Sequence, residues 1–289
     1  MTNSLFVSKH GHDLNNCGNR IMPCRTVRYA VKMSHDGDAI YIHFTPGRPY
    51  AECENLSQLS CSIELTKSLS FHGINGKAEI QCRKCSRFFI ITSKSFNITR
   101  INFLNLVISN SQIVAELGVK ANTELVFQNM LVRDNNVALY SKYSNDCSIK
   151  IFNSSFEYNT DSLSWGINLR CANPTVHINS SFFTFTPLLF TNVANKPTRL
   201  RRTQILIHHT IFDDKKIQKC SPMLTIKPFA AISNITIIDS EFKNHLADCS
   251  STHTNRISTV IIYYDTVNVR NITFMSLNKI TFENNYNDW

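Results

Sequence analysis

Val126-Phe127-Gln128-Asn129, followed three positions later by Val132, is one copy of a phrase that recurs along the chain. Ile149-Lys150-Ile151-Phe152-Asn153 runs on to Phe156, and Val176-His177-Ile178-Asn179 runs on to Phe182. Ile205-Leu206-Ile207-His208-His209 leads to Phe212, Ile235-Thr236-Ile237-Ile238-Asp239 to Phe242, and Val267-Asn268-Val269-Arg270-Asn271 to Phe274. A weaker copy precedes them at Asn105 and Ile108. The marker positions 105, 129, 153, 179, 209, 239 and 271 are spaced 24, 24, 26, 30, 30 and 32 residues apart. A period in this range marks stacked coils. Alternation sends every second side chain to one face of a strand. Phe127, Ile149, Ile151, Val176, Ile178, Ile205, Ile207, Ile235, Ile237, Val267 and Val269 are therefore expected inside, with Lys150, His177, Thr236, Asn268 and Arg270 outside.

One short strand and one aromatic cannot enclose a core, so neighbouring copies must stack on each other. The fold expected is a single right-handed parallel β-helix, all-β, with interior ladders of Ile, Val, Leu and Phe. The Asn after each strand suits a corner, since Asn tolerates the left-handed backbone region and its amide can reach the Asn one coil away. A second Asn follows the aromatic at Asn135, Asn159, Asn244 and Asn284. A β-sandwich also alternates, but its turns do not recur in register with an Asn.

The opening differs from the repeats. Asp13-Leu14-Asn15-Asn16-Cys17-Gly18 is rich in turn residues, and Cys17 and Cys24 lie close enough to staple it. Thr26 to Met33 places Val27, Ala30 and Val31 on one helical face, with Thr26 or a neighbour as its cap. Such a helix would cover the end of the first coil. Residues 1–37 are read as this cap and 38–289 as the β-helix, with the last coil cut short. Gly11, Asp13, Asn16, Cys17, Gly18, Pro23, Cys24, Arg25, Thr26, Val27, Ala30, Val31, Gly37, Asp38, Ile40, Ile42, Gly47 and Tyr50 carry a resemblance. In that order they resemble the opening of pectin-lyase-like β-helix proteins, above all the extracellular, cysteine-containing ones of animals and more distantly bacterial polymorphic outer-membrane proteins. The resemblance implies the fold and an extracellular setting. It does not imply one activity.

The formal charge of +9 suits an acidic partner such as a uronic or sulfated polysaccharide, or phospholipid headgroups, although the basic residues are scattered. The sequence carries no nucleic-acid motif and no apolar run long enough for a membrane helix. Ten Cys favour an oxidising compartment. Cys53 with Cys61 suggests a local bridge, and Cys82-Arg83-Lys84-Cys85 reads as a disulfide before a metal or redox site, since no second pair matches it. Cys147 with Cys171 and Cys220 with Cys249 stand one coil apart. Sequons at Asn55, Asn97, Asn153, Asn179, Asn234 and Asn271 point to a glycosylated, secreted or cell-surface chain. Met1 to His12 hold no signal-peptide core, so the chain is expected to be a fragment of a larger product.

A polysaccharide lyase or glycoside hydrolase is the competing class, because such enzymes need carboxyls aligned on adjacent coils. Asp213-Asp214 is the paired acidic candidate, at a corner where a charged turn is the default. The polygalacturonase-type set is not assembled: Gly11-His12 lies in the opening and Asn255-Arg256-Ile257 lacks its Lys. A calcium cluster of Asp residues is not evident either. His208 and His209, read as consecutive strand residues, fall on opposite faces, which argues against a metal. Arg199-Leu200-Arg201-Arg202 reads as a basic loop or a processing-protease site. The expectation is a non-catalytic recognition or spacing protein, with an acidic glycan or another extracellular protein as partner, and with no metal, no cofactor and no assigned catalytic residue.

Overall fold

The computed structural model describes residues 3–53, 61–83, 86–93, 97–119, 121–159, 165–192, 202–214, 222–227, 232–244, 259–262 and 272–283. Every strand pairing in it is parallel, and the strands stack into three ladders that the chain visits in turn, coil after coil. The first ladder starts at Ser4–Val7, Ala39–His43, Leu69–Ile74, Thr99–Leu104 and Thr123–Gln128. It continues through residues 147–152, 174–179, Arg202–His208, 232–238 and 272–278. The second ladder runs from Tyr50–Ala51 through Ala78–Gln81, Leu106–Ser109 and Leu131–Arg133 to residues 280–283. The third runs from Ile63–Leu65 through Phe89–Ile91, Ile113–Leu117, 137–141 and 167–171 to Val260–Ile262. This is the parallel β-helix that the period calls for.

Register converts the alternation into interior columns. Ile40, Phe71, Phe103, Phe127, Ile151, Ile178, Ile207 and Ile237 are aligned rung on rung and are all buried. In the second ladder the aromatics form another column, and in the 174–184 coil its member is Phe183 rather than the Phe182 read from the sequence, because Phe156 pairs with Phe183 and Ser155 with Phe182. Phe156, Phe183, Phe212 and Phe242 stack with centroids 5.2, 5.2 and 4.7 Å apart. Strand spacing is about 4.8 Å, so one ring per rung meets its neighbours at stacking distance. The corner between these ladders is the left-handed position that the Asn anticipates: φ is 55° at Asn105, 54° at Asn129 and 48° at Asn153. Asn129 Nδ2 donates to Asn105 Oδ1 at 3.0 Å, so the amides also bond coil to coil. Behind the next corner Asn135 and Asn159 are buried, and Asn135 Nδ2 donates to Asn159 Oδ1 at 2.8 Å.

Two further readings of the phrase shift by register. The left-handed residue in the 174–184 coil is Ser180 (φ 50°), whereas Asn179 is the last strand residue, opposite Phe152. The last copy is not the one ending at Asn271 and Phe274. Met275, Leu277, Lys279 and Phe282 align with Ile235, Ile237, Asp239 and Phe242, with Lys279 at the left-handed corner and Phe282 stacked 5.4 Å from Phe242. Two alternating runs stand within ten residues of each other, and the later one carries the ring, Phe282, that continues the Phe column. Residues 263–271, with Val267 and Val269, lie outside the described residues. Phe274, Met275, Leu277 and Phe282 are exposed on this last described rung.

The opening builds the lid. A helix covers Val27–Met33, with Thr26 Oγ1 accepting from Tyr29 N and with Val27, Ala30 and Val31 buried. Asp13 accepts from the amides of Arg25 and Thr26 and from the Thr26 hydroxyl at 2.8, 3.1 and 2.8 Å. Asp38 accepts from Asn3 N and His35 N. At Gly11 a Cβ would stand 2.4 Å from the Pro23 and Cys24 carbonyl oxygens, so no other residue fits. Gly11, Asp13, Thr26 and Asp38, which are among the residues that carry the resemblance, thus hold the lid in place. One rung was not legible: Ser4–Val7 joins the first ladder ahead of the helix, so strand pairing begins within the segment read as a cap.

Candidate functional site

Disulfides tie the early coils. Cys17 bonds Cys24, and Cys147 bonds Cys171 across one coil. Cys53 bonds Cys82, which corrects both the Cys53 to Cys61 bridge and the Cys82 to Cys85 bridge. The reason is register: Tyr50 and Ala51 pair with Ile80 and Gln81, so the cysteines that follow fall on adjacent rungs, with Cα atoms 5.1 Å apart. Cys61 is also disulfide-bonded, and none of the described cysteines is free. Cys85, Cys220 and Cys249 lie outside the described residues, as do Asn55, Asn271, Asn284, Arg199 to Arg201 and the Asn255 segment.

Next to Cys53, Glu52 is buried against the N-terminus of the lid helix. It accepts from Val27 N at 2.8 Å and Arg28 N at 3.0 Å. Burial pushes its carboxyl up to about 7, with the two amides and the Arg28 charge pulling the other way. It lies under the lid, where it serves the helix.

Two concave regions mark the outer faces. The first, of about 660 Å³, lies over the leading edge of the first ladder. Glu124 there is clamped: Lys150 Nζ stands at 2.7 Å and Arg100 Nε at 3.1 Å. The hydrogen bond from Lys150, followed by its charge and the Arg100 contacts, holds the Glu124 carboxyl below the usual range. A carboxylate stabilised in this way is a poor proton donor. Asp146 accepts from Asn173 Nδ2 at 2.7 Å, and Arg202 N donates to Asn173 Oδ1 at 3.1 Å. The exposed sequon residue Asn234 lines this groove, as does Ile98, which follows the exposed sequon residue Asn97. Asn153 is exposed at its corner and Asn179 is half-buried, with its Oδ1 accepting from Ser180 Oγ.

The second cleft, of about 770 Å³, lies over the third ladder. Its floor is the aligned column Glu116, Tyr140 and Asn168 on three successive rungs. Trp165, Arg87 and Arg170 stand at its walls. Arg87 Nη1 lies 3.5 Å from Glu116 Oε1, and Asn168 Oδ1 is a buried acceptor without a partner among the described residues. Aromatic faces, guanidinium groups and an amide are the groups that recognise a charged sugar. No sequence signal singled this cleft out, because its residues come from separate coils and meet only through register.

The acidic pair at residues 213 and 214 stands at the end of a second-ladder strand, where Asp213 is the last strand residue. Asp213 is buried and its Oδ1 accepts from Asn244 Nδ2 at 2.8 Å, which ties it into the corner. His208 and His209 do share a side of the molecule, contrary to the strand reading. His209 takes the left-handed corner (φ 47°), which turns its ring back beside His208 with centroids 3.8 Å apart.

The fold and its disulfides place the chain in the class of parallel β-helix proteins with a lidded first coil. No family model and no curated protein matches the sequence. Among solved structures, a rhamnogalacturonan lyase is 12% identical over 96% of this chain and 87% of that one, with a TM-score of 0.34. A likeness at that level assigns no activity. No helix among the described residues is long and apolar enough to cross a membrane.

Proposed function

We propose that this is a non-catalytic extracellular or cell-surface protein whose β-helix presents a stiff face for recognition, with an acidic glycan as its ligand. The cleft of Arg87, Tyr140, Trp165, Asn168 and Arg170 carries the reading. Its two guanidiniums suit uronate or sulfate groups, and its aromatic rings suit sugar faces. The disulfides and the net charge of +9 agree with a glycan-rich, oxidising setting. In the other groove, sugars on Asn97 and Asn234 would crowd a polysaccharide chain, and Glu124 is already neutralised by two cations. Glycosylation and secretion belong to this proposal, as does kinship with the extracellular cysteine-containing β-helix proteins.

The test is binding to a panel of uronic and sulfated polysaccharides at two salt concentrations. Arg170→Ala and Trp165→Ala should each weaken binding about tenfold, as the loss of one charged or stacking contact implies. Binding should also fall with salt. New reducing ends or unsaturated products, lost on Glu116→Gln or Arg170→Ala, would establish a polysaccharide-cleaving enzyme instead. Unchanged binding by both variants would place the ligand elsewhere.

A further inference from the structure

The geometry points to a divalent metal site of the zinc class, built by His208, His209 and Asp239 at the corner between the first and second ladders. His208 Nε2 lies 3.6 Å and His209 Nε2 3.4 Å from the same oxygen, Asp239 Oδ2. One ligand atom from each residue falls within 4.8 Å of the other two. Separations of 3.4 and 3.6 Å are long for hydrogen bonds. They match the edge of a tetrahedron around zinc, which bonds of 2.0–2.1 Å make about 3.4 Å. The other carboxylate oxygen, Oδ1, faces Lys279 Nζ at 3.5 Å. Lys279 therefore orients the carboxylate and leaves Oδ2 to the imidazoles, the part that outer partners of metal ligands play.

The fold assembles this set where periodicity hides it. The left-handed corner column reads Asn105, Asn129, Asn153, Ser180, His209, Asp239 and Lys279 along successive coils. In the early coils it is an amide ladder, and in the late coils the same backbone position presents imidazole, carboxylate and ammonium. His208 comes from the last strand residue before the corner, opposite Asn179 and Ile238. His208, His209 and Asp239 keep 34%, 56% and 25% of their side-chain surface open, so an ion can enter from solvent. Two imidazoles and one carboxylate supply three ligands and leave a fourth position for water or a ligand group.

The experiment is titration of the intact, disulfide-bonded protein with Zn²⁺ alone by calorimetry, and with Co²⁺ followed by its visible absorption. His209→Asn and Asp239→Asn are the decisive variants, because Asn already occupies this corner in earlier coils and keeps the backbone at ease. His208→Gln tests the third ligand. One saturable site per chain, with the intense spectrum of tetrahedral cobalt and at least a tenfold loss of affinity in each variant, is the expected result. Absence of saturable binding, or equal affinity in wild type and all three variants, overturns the assignment. An octahedral cobalt spectrum that persists in the variants overturns it as well, since the ion would then sit on other histidines. Circular dichroism of each variant separates ligand loss from misfolding.

Discussion

Replacing Phe212 by Ala tests the stacked core at its most exactly aligned point. Phe212 is 1% exposed and lies between Phe183, at 5.2 Å and 14°, and Phe242, at 4.7 Å and 2°. Truncating a buried Phe to Ala costs about 3–5 kcal/mol from transfer and cavity terms, and each aromatic pair adds about 0.5–1.5 kcal/mol. Two pairs are lost here, which puts the cost near the top of the range, about 5 kcal/mol. Phe212→Leu keeps most of the buried area and should cost about 1–2 kcal/mol. Phe282 is an internal control: it stacks on Phe242 at 5.4 Å but is 57% exposed, so Phe282→Ala should cost about 1 kcal/mol. A long stack of repeats does not unfold in one step, so a single midpoint is a poor measure. Native-state hydrogen exchange by mass spectrometry reads each rung separately. In a quasi-one-dimensional stack, peptides covering 182–184, 211–213 and 240–243 should lose protection while 69–74 keeps its own. Equal acceleration at 69–74, or equal costs for Phe212→Ala and Phe282→Ala, would refute the argument.

The corner amides give a sharper comparison. Asn129 holds φ at 54°, so Asn129→Ala should lower stability by about 1–2 kcal/mol, whereas Asn129→Gly should stay within about 1 kcal/mol because only the amide bond to Asn105 is lost. Thermal melts of the pair decide this. Glu52 should give the lid a pH dependence. Its folded carboxyl titrates near about 7 and the unfolded one near ~4.3. Between those values the folded state binds more protons, so the lid should weaken as pH rises from 5 to 7, by up to about 3 kcal/mol, and level off above. Glu52→Gln should flatten that slope in exchange measured on residues 27–33. Replacing Cys53 and Cys82 with Ser should cost about 3 kcal/mol, since their bridge closes a loop of 29 residues, with the loss concentrated at the lid.

The chain by itself settled the architecture, because one physical requirement repeats at every coil. Alternation selects strands, a lone aromatic demands a neighbour, and Asn at 105, 129 and 153 tolerates the left-handed corner. The helix over residues 27–33 was legible from its apolar face and Thr26 cap. Cys17 to Cys24 was legible because the contact is local in sequence. What the sequence concealed depends on which residues stand one above another. Cys53 meets Cys82 because Ala51 pairs with Gln81, not because of any spacing between cysteines. Tyr140 joins Glu116 and Asn168, and His209 joins Asp239, by the same rule. Alternation specifies the face of each side chain but not its vertical neighbour, since loops between rungs vary in length and absorb the difference. Vertical register is chosen by the whole stack at once, through ring packing and corner bonds, and it is vertical register that builds the cleft and the histidine corner.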